Sequence, residues 1–298
     1  MSIIEKAFNK AKGQGQITNP PLELLGEEIN LLNVTEVEKE ALINVNNRPN
    51  TSSSNESKVA EIDWLKLAEL GFVTPGDSNT QAIEEYRNIK RPLVNNAFGE
   101  ASAGIERANL ILITSSVPGE GKTFTAINLA LSIANERDKK VLLIDADVAR
   151  PSVSKILGIQ SSPGLIEYLE GQDVEFSDIV LKTNMPGLRI IPAGKQHKHS
   201  TELLASNRMI LLAQQLSNRY PDRIVIFDSP PLLAATQGQV LAELVGQVVL
   251  VIEAETTPQS MVMESTSRLA SCDVVLTVLN KAKSTGDASY YGYGQYAH

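Results

Sequence analysis

A glycine-rich stretch that ends in lysine and threonine is the feature of this sequence with the clearest chemistry. Residues 119–123 read Gly-Glu-Gly-Lys-Thr and lie between an apolar run and a helical pattern rich in Ala and Leu. Glycines let a backbone bend tightly so that its N–H groups face a phosphate, and the amino end of a following helix adds partial positive charge. Lys122 would then reach the outer phosphates of a nucleotide, and the Thr123 hydroxyl would bind Mg²⁺. The predicted nucleotide contacts in this stretch are Pro118, Gly119, Glu120, Gly121, Lys122, Thr123 and Phe124.

Carboxylates stand at the ends of two further apolar runs. One run ends with Asp145 and Asp147, and another ends with Asp228. The carboxyl ends of parallel strands share one edge of a sheet, which is the edge where ligands bind. Three acids beside a triphosphate would be strongly disfavoured without a cation, so the pattern predicts Mg²⁺ held by Thr123, water and one or more of these acids. Capping of the next helix is an alternative for any single acid, and a weaker one for all three.

The last apolar run closes with Asn280 and Lys281. In phosphate-loop proteins such a pair often borders the adenine, and we include both residues among the predicted nucleotide contacts. Asn280 could instead simply end a strand and begin a turn, and the sequence leaves the two interpretations open.

The elements that must position these residues alternate between strands and helices from about residue 79. Near-continuous Val, Ile and Leu runs are typical of strands buried on both faces, and amphipathic helices separate them. The pattern predicts an α/β fold, a P-loop NTPase with a mostly parallel central sheet flanked by helices. The predicted strands are 109–116, 140–147, 188–194, 223–230, 247–254 and 273–280.

The chain divides into three predicted regions. A helical and flexible N-terminal extension contains a polar linker, rich in Asn and Ser, at 44–57. Just before the second region, a helical pattern places Trp64, Leu65, Leu67 and Leu70 on one apolar face. The predicted boundaries are 1–78 for the extension, 79–285 for the nucleotide-binding domain and 286–298 for a flexible tail rich in tyrosine.

Composition excludes several classes of protein. The net charge of -8 argues against a general nucleic-acid binder, which needs a surplus of Lys and Arg. The single Cys272 permits neither an internal disulfide nor a cysteine-ligated cluster, and a buried packing role is expected for it. His197 and His199 lack a third ligand nearby in sequence and are expected to be solvated rather than metal-bound. No apolar run reaches the roughly 18 residues of a membrane-spanning helix, so we expect the chain in the cytoplasm.

The tail is unusual because four of the seven tyrosines fall within its last nine residues. Glycines separate the rings and aliphatic residues are missing, so this segment cannot build a core. Taken alone, the rings could be incidental or could pack on a partner. The four tyrosines are Tyr290, Tyr291, Tyr293 and Tyr296.

In combination, these motifs resemble the bacterial tyrosine autokinases (BY-kinases) associated with exopolysaccharide export. The similarity covers roughly residues 79–298, and its finer pattern most resembles the autokinases found beside exosortase and PEP-CTERM loci. It rests on "SSVPGEGKT" (Walker A), "LLIDADVARP" (Walker A'), "SPGLIEYLEG", "VIFDSPP" (Walker B) and the tyrosine-rich tail, with "GFVTP" and "EEYRNIKRPL" for the finer placement.

The resemblance implies a mechanism and site residues. ATP and Mg²⁺ would bind at the phosphate loop, and the γ-phosphoryl group would pass to a tail tyrosine of a neighbouring subunit, which makes the four tail tyrosines the phosphoacceptors. Lys122, Asp145 and Asp147 would be catalytic, with Asp145 as the candidate base. The implied control is over exopolysaccharide polymerisation or export.

The resemblance also implies partners. The family's oligomerisation helix reads Glu-x-x-Arg-x-x-Arg, and the matching positions here are Glu84, Arg87 and Lys90, with Arg91 next. A lysine lacks the bidentate fork of arginine, so we expect this subunit contact either to be weaker or to use Arg91 instead. A solvated helix face is the alternative. We expect a homo-oligomer, a separate membrane activator of the chain-length-determinant (co-polymerase) type that recruits the chain to the inner face of the cell membrane, and a cognate tyrosine phosphatase.

Three other functions compete with the kinase. A partitioning or division-site ATPase switch is disfavoured by Val117, which stands where those ATPases carry a signature lysine, and by the tail. A metal-cluster carrier related to the nitrogenase iron protein lacks its paired cysteines here. An inactive ATP-binding subunit is disfavoured by the complete set of motif residues. Two departures from the family pattern are Ala149, where Walker A' often has arginine, and Lys90, where the oligomerisation helix usually has arginine. Ser116 stands where the full Walker A pattern has glycine.

Overall fold

A seven-stranded sheet organises the part of the chain that the computed structural model describes, namely residues 59–76, 80–136, 138–171, 173–219 and 222–283. The strands are β1 (Leu110–Ser115), β2 (Lys140–Asp145), β3 (Leu181–Lys182), β4 (Leu188–Ile191), β5 (Arg223–Asp228), β6 (Gln247–Glu253) and β7 (Val274–Asn280). The helices are α1 (Trp64–Glu69), α2 (Thr80–Phe98), α3 (Lys122–Ala134), α4 (Val153–Leu157), α5 (Leu165–Glu170), α6 (Phe176–Ile179), α7 (Ser200–Leu204), α8 (Asn207–Arg219), α9 (Gln237–Ala242) and α10 (Gln259–Arg268), with a 3₁₀ turn at Glu100–Gly104.

The strand order is β3-β4-β2-β5-β1-β6-β7, and every pairing except β3 with β4 is parallel. The predicted α/β fold with a mostly parallel sheet is therefore confirmed, and all six predicted strands are present. The antiparallel strand β3 was missed because two residues are too few to give an apolar pattern. Strands β1, β2 and β5 lie side by side, so their carboxyl ends meet at one edge.

The sheet is buried on both faces because its strands alternate between two apolar cores. In β1, Leu110 and Leu112 belong to one core, and Ile111 and Ile113 belong to the other. All four side chains have zero exposure. Helix α3, which follows the glycine-rich loop, packs its apolar residues into the second core. The loop is thus fixed at both ends by buried elements.

The segment before α2 contributes to that second core. Ile62, Leu67 and Phe72 are buried there. The predicted apolar face of α1 is only partly correct, because Leu65 is 81% exposed and Leu70 is 53% exposed. The helix has six residues and buries only Leu67, so Ile62 and Phe72, which flank it, complete its contact with the second core.

None of the described helices is both long enough and apolar enough to span a membrane. The predicted linker at 44–57 and the tail at 286–298 lie outside the described residues, as do the four tail tyrosines. The three domain boundaries stay predictions.

Candidate nucleotide site

The glycine-rich loop runs from the end of β1 at Ser115 to the start of α3 at Lys122. Its two glycines have positive φ, 95° at Gly119 and 98° at Gly121, a conformation that side chains rarely adopt. A Cβ at Gly119 would meet no atom within 4 Å, whereas a Cβ at Gly121 would lie 2.0 Å from Asn280 Nδ2. Gly119 therefore leaves room for a ligand, and Gly121 makes room for a neighbouring side chain.

The serine at the Walker A glycine position fits because the fold supplies a partner for it. Ser116 is completely buried, and the Ser265 hydroxyl in α10 lies 2.9 Å from its hydroxyl oxygen. A buried hydroxyl without a hydrogen bond would destabilise the fold, so the pairing makes this departure from the pattern tolerable. Ser265 lies 149 residues after Ser116 in the chain, and for that reason the sequence did not indicate this hydrogen bond.

Lys122 and Asp147 form an ion pair at the amino end of α3. The Lys122 Nζ donates to Asp147 Oδ2 at 2.8 Å, and both side chains are largely buried. Burial alone would lower the pKa of Lys122, but the charges of Asp228 and Asp147 outweigh it and raise that pKa. The structure therefore keeps a permanent cation beside the loop, as phosphate binding requires.

Thr123 and Asp228 form the second contact of the site. The Thr123 hydroxyl donates to Asp228 Oδ2 at 2.7 Å, and the Ser152 hydroxyl lies 3.2 Å from Thr123 Oγ1. Burial raises the pKa of Asp228 to about 6, and the nearby Lys122 charge limits the rise. Among the described atoms, Asp228 Oδ1 is buried without a hydrogen-bond partner.

Asp145 combines two of the roles that the sequence left as alternatives. Its Oδ2 accepts the backbone N–H groups of Ser152 and Val153 at 3.1 Å each, where α4 begins. Its Oδ1 is buried and has no hydrogen-bond partner in the described part of the chain. Burial, then the charge of Asp228, raises the pKa of Asp145 well above its usual value. One oxygen supports the helix, and the other is left for the site.

The oxygens of this cluster suit Mg²⁺, which prefers carboxylates, hydroxyls, water and phosphate. Two unpartnered carboxylate oxygens and the Thr123 hydroxyl supply such donors. Among the described residues, however, no group of three or more acids, histidines or cysteines is placed to hold a metal ion. Mg²⁺ would accordingly take few ligands from the protein and complete its shell with water and nucleotide phosphates.

Comparison with known proteins identifies the family to which the chain belongs. Residues 108–281, more than half of the chain, match the family model described as an AAA domain. The tyrosine-protein kinase YwqD of Bacillus subtilis is 33% identical over 211 residues, which cover 70% of this chain and 85% of that protein. The chain belongs to the bacterial tyrosine kinase family.

Other members of the tyrosine kinase family are longer. The tyrosine-protein kinase ptk of Acinetobacter johnsonii is 35% identical over 201 residues, and the chain covers only 26% of its length. The kinase domain of the Escherichia coli tyrosine kinase ETK is similar in structure, with a TM-score of 0.62 and 30% identity over 84% of this chain and 89% of that one. The structural match thus lies with a kinase domain.

Three predicted nucleotide contacts in this kinase-family chain have side chains that are engaged elsewhere. The Glu120 carboxylate is 1% exposed and accepts the N–H of Val117 at 2.7 Å. Asn280 Nδ2 donates to the carbonyl of Glu120 at 2.8 Å, and Lys281 Nζ donates to the carbonyl of Gly119 at 2.9 Å. Neither interpretation of Asn280 anticipated this arrangement. Contact with the base stays a prediction.

The remaining loop residues have ordinary structural neighbours. The ring of Phe124 packs on that of Phe72, with 4.7 Å between their centroids. Pro118 is exposed at the loop tip. Nucleotide contact by Pro118 and Phe124 stays a prediction.

The predicted oligomerisation residues of this kinase-family chain do not form one set. Glu84 and Arg87 pair with each other on the exposed side of α2, and Arg91 is exposed. Lys90 is 12% exposed and donates to the carbonyl of Ser132 and to Glu136, at 2.9 Å and 2.8 Å. Its ammonium joins α2 to the end of α3 within one chain, and its part in a subunit contact stays a prediction. The contact by the other three stays a prediction.

Proposed function

We propose that this chain is an ATP-dependent protein-tyrosine kinase that uses Mg²⁺ and phosphorylates its own tail tyrosines. The observation that carries the proposal is the meeting of Lys122, Thr123 and the three strand-end acids at one loop, in a member of the tyrosine kinase family. The proposed acceptors are Tyr290, Tyr291, Tyr293 and Tyr296.

Phosphoryl transfer needs positioning and charge neutralisation more than covalent chemistry. The loop N–H groups would hold the phosphates, and Lys122 would turn its ammonium from Asp147 toward the transferred group. When bound, Mg²⁺ would neutralise charge on the outer phosphates, held by Thr123, Asp228 and one or both of Asp145 and Asp147.

A phenol has a pKa near 10, so the acceptor tyrosine benefits from a base. Asp145 is our candidate, because its Oδ1 lacks a hydrogen-bond partner among the described residues and its pKa is raised. Asp145 has zero exposure in this conformation. A tyrosine hydroxyl would reach it only after neighbouring residues move, and we propose that nucleotide binding brings about this movement.

We further propose that transfer occurs between neighbouring copies, following the family resemblance. Tyr290 lies nine residues beyond Lys281, which spans at most about 30 Å, so chain length permits either the tail's own site or a neighbour's. Mixing two variants decides between them: Lys122→Met with an intact tail, and an active chain whose four tail tyrosines are Phe. Phosphate on the Lys122→Met tail is the expected result. Two results together would overturn transfer in trans. Wild type would be phosphorylated at a rate that does not depend on protein concentration, and the tail of Lys122→Met would carry no phosphate in the mixture.

The primary test is phosphate mapping by mass spectrometry after incubation of the protein with Mg²⁺ and ATP. Phosphotyrosine in the tail is expected for wild type and not for Lys122→Met. ATP hydrolysis without any phosphotyrosine, even with the cytoplasmic part of the membrane activator added, would favour the alternative of an ATPase switch.

The wider role that we propose is control of exopolysaccharide polymerisation or export, in the type of locus that encodes exosortase. A membrane activator of the chain-length-determinant type would recruit the cytoplasmic chain to the membrane, and a tyrosine phosphatase would reverse the reaction. Each tail phosphate adds about -1.5 to -2 charge, so phosphorylation should loosen the homo-oligomer. Replacing the gene by its Lys122→Met form should change the polymer length or the amount exported, and unchanged polysaccharide would count against this role.

A further inference from the structure

Side chains from the ends of β6 and β7 converge on the glycine-rich loop. Asn280 and Lys281 reach two consecutive loop carbonyls, those of Glu120 and Gly119. From the other direction, the buried Glu120 carboxylate accepts the Thr257 hydroxyl. Three hydrogen bonds therefore join the loop to the end of β7 and to the segments that follow β6 and β7.

The two carbonyl contacts fix the direction of loop N–H groups. A peptide unit is planar and trans, so its C=O and N–H point to opposite sides. Holding the carbonyl of Gly119 toward Lys281 turns the N–H of Glu120 away from it, and holding the carbonyl of Glu120 toward Asn280 does the same for the N–H of Gly121. These are the N–H groups that a phosphate loop presents to its ligand.

The Glu120 side chain fixes the other end of the loop. Its two oxygens accept the N–H of Val117 at 2.7 Å and the more distant N–H of Glu253 at 3.4 Å, in addition to the Thr257 hydroxyl. A carboxylate that is 1% exposed needs such donors, because burial of an unsatisfied charge costs several kcal/mol. Glu120 thus connects the start of the loop to the end of β6.

Gly121 provides independent evidence that Asn280 belongs to this arrangement. A Cβ at Gly121 would lie 2.0 Å from Asn280 Nδ2 and 3.3 Å from its Cγ. The glycine is therefore needed for the approach of Asn280 as well as for the positive φ.

We propose that Glu120, Thr257, Asn280 and Lys281 form a loop clamp that holds the phosphate loop ready for nucleotide, and that Asn280 and Lys281 act through the loop rather than on the base. The proposal deepens the nucleotide site on which the proposed kinase function rests. In this role the four are positioning residues. They determine affinity for the phosphates of any nucleotide and do not select the base.

Lys281 has a matched control two residues away. Lys281 pairs with Glu253 at 2.9 Å and also donates to the loop. Lys283 pairs with Glu255 at 3.5 Å and, within the described residues, makes no hydrogen bond to the loop. We therefore compare Lys281→Met with Lys283→Met, and add Glu253→Gln, which breaks the ion pair but keeps the loop contact. Lys281→Arg tests rescue, because a guanidinium can still donate to the Gly119 carbonyl.

The measurement is the affinity of the full chain for Mg²⁺-ADP and Mg²⁺-GDP by titration calorimetry. Loss of a hydrogen bond from a charged donor should weaken binding about 10-fold in Lys281→Met. We expect a similar loss in Thr257→Val, less than a 2-fold change in Lys283→Met and Glu253→Gln, and recovery of most of the affinity in Lys281→Arg. The loss in Lys281→Met should be equal for the two diphosphates, since the clamp acts on phosphate binding.

Two results would overturn the proposal. Equal affinities in Lys281→Met and Lys283→Met would show that the loop contact is unimportant, and a loss for only one of the two diphosphates would show that Lys281 reads the base. Thermal unfolding without nucleotide checks that the variants are folded, and Lys281 is exposed enough to tolerate substitution. Because the readout is binding, a wild type that binds nucleotide but makes no phosphotyrosine would refute the kinase function and leave this test intact.

Discussion

The Lys122 ammonium lies 2.8 Å from the Asp147 carboxylate, with 13% of the lysine side chain and 5% of the aspartate side chain exposed. Each group makes burial of the other tolerable before any ligand binds. A bound triphosphate would compete with Asp147 for this lysine, so the pair links the stability of the empty site to its chemistry.

We expect Lys122→Met to lose both activity and stability. Tail phosphotyrosine should fall at least 100-fold, because the outer phosphates lose their cation. The nucleotide-free protein should lose about 3 kcal/mol, since Asp147 is left buried without its partner. Urea unfolding measures this loss. The control is Lys140→Met, which breaks an exposed pair with Asp222 and should change stability little. Equal losses in both variants would contradict the structural role of the buried pair.

The raised pKa of Asp228, about 6, gives a predicted pH dependence. Between the usual value of 3.8 and about 6, the folded state binds more protons at this site than the unfolded chain does. Stability of the nucleotide-free protein should therefore fall as the pH rises through this window and stay low above it. Binding of Mg²⁺-ADP should instead strengthen with rising pH, because a metal ligand must be deprotonated.

Asp228→Asn should weaken both pH effects, and the part that the buried Asp145 contributes should remain. The variant should be more stable than wild type at pH 7.5, by on the order of 2 kcal/mol, because a buried charge is gone. It should also lose Mg²⁺-dependent phosphotyrosine formation. Thermal unfolding at several pH values, with and without Mg²⁺-ADP, tests this prediction. A variant less stable than wild type would show that the ionised Asp228 does not destabilise the nucleotide-free protein.

The two loop glycines should differ in their tolerance of alanine. Both have φ near 95°, so alanine would be strained by a left-handed backbone at either position. Only the alanine at 121 collides with Asn280. Gly121→Ala should therefore lower the unfolding free energy of the nucleotide-free protein more than Gly119→Ala, by about 1–3 kcal/mol. Adding Asn280→Ala to Gly121→Ala should recover part of that difference, and no recovery would place the strain elsewhere.

The charged residues of α2 should separate into two classes. Lys90→Met should lower monomer stability, because it removes the contacts with Ser132 and Glu136 that join α2 to α3. Arg91→Ala should leave stability unchanged and reduce the oligomer mass measured by light scattering. An oligomer that survives Arg91→Ala combined with Arg87→Ala would overturn the assignment of this helix to subunit contact.

Sequence patterns were sufficient for the fold class and for the location of the site. Long Val, Ile and Leu runs such as that of β1 can only be buried on both faces, and this requirement produces a parallel sheet with helices around it. The glycines before Lys122 and Thr123 and the acids at two strand ends are local features of the sequence. They indicate the site without any knowledge of the order of the strands in the sheet. The short antiparallel β3 carried no such signal.

Only the tertiary structure decided which partner each side chain has. The sequence placed Glu120, Asn280 and Lys281 near a nucleotide, whereas the fold turns all three side chains onto the loop itself. It likewise gave no sign that Lys90 pairs within the chain with Glu136, which follows α3 and lies 2.8 Å away. Residue type and spacing along a chain determine which elements form and which edge they share. Hydrogen bonds between residues more than a hundred positions apart depend on the packing of those elements, and no local pattern encodes them.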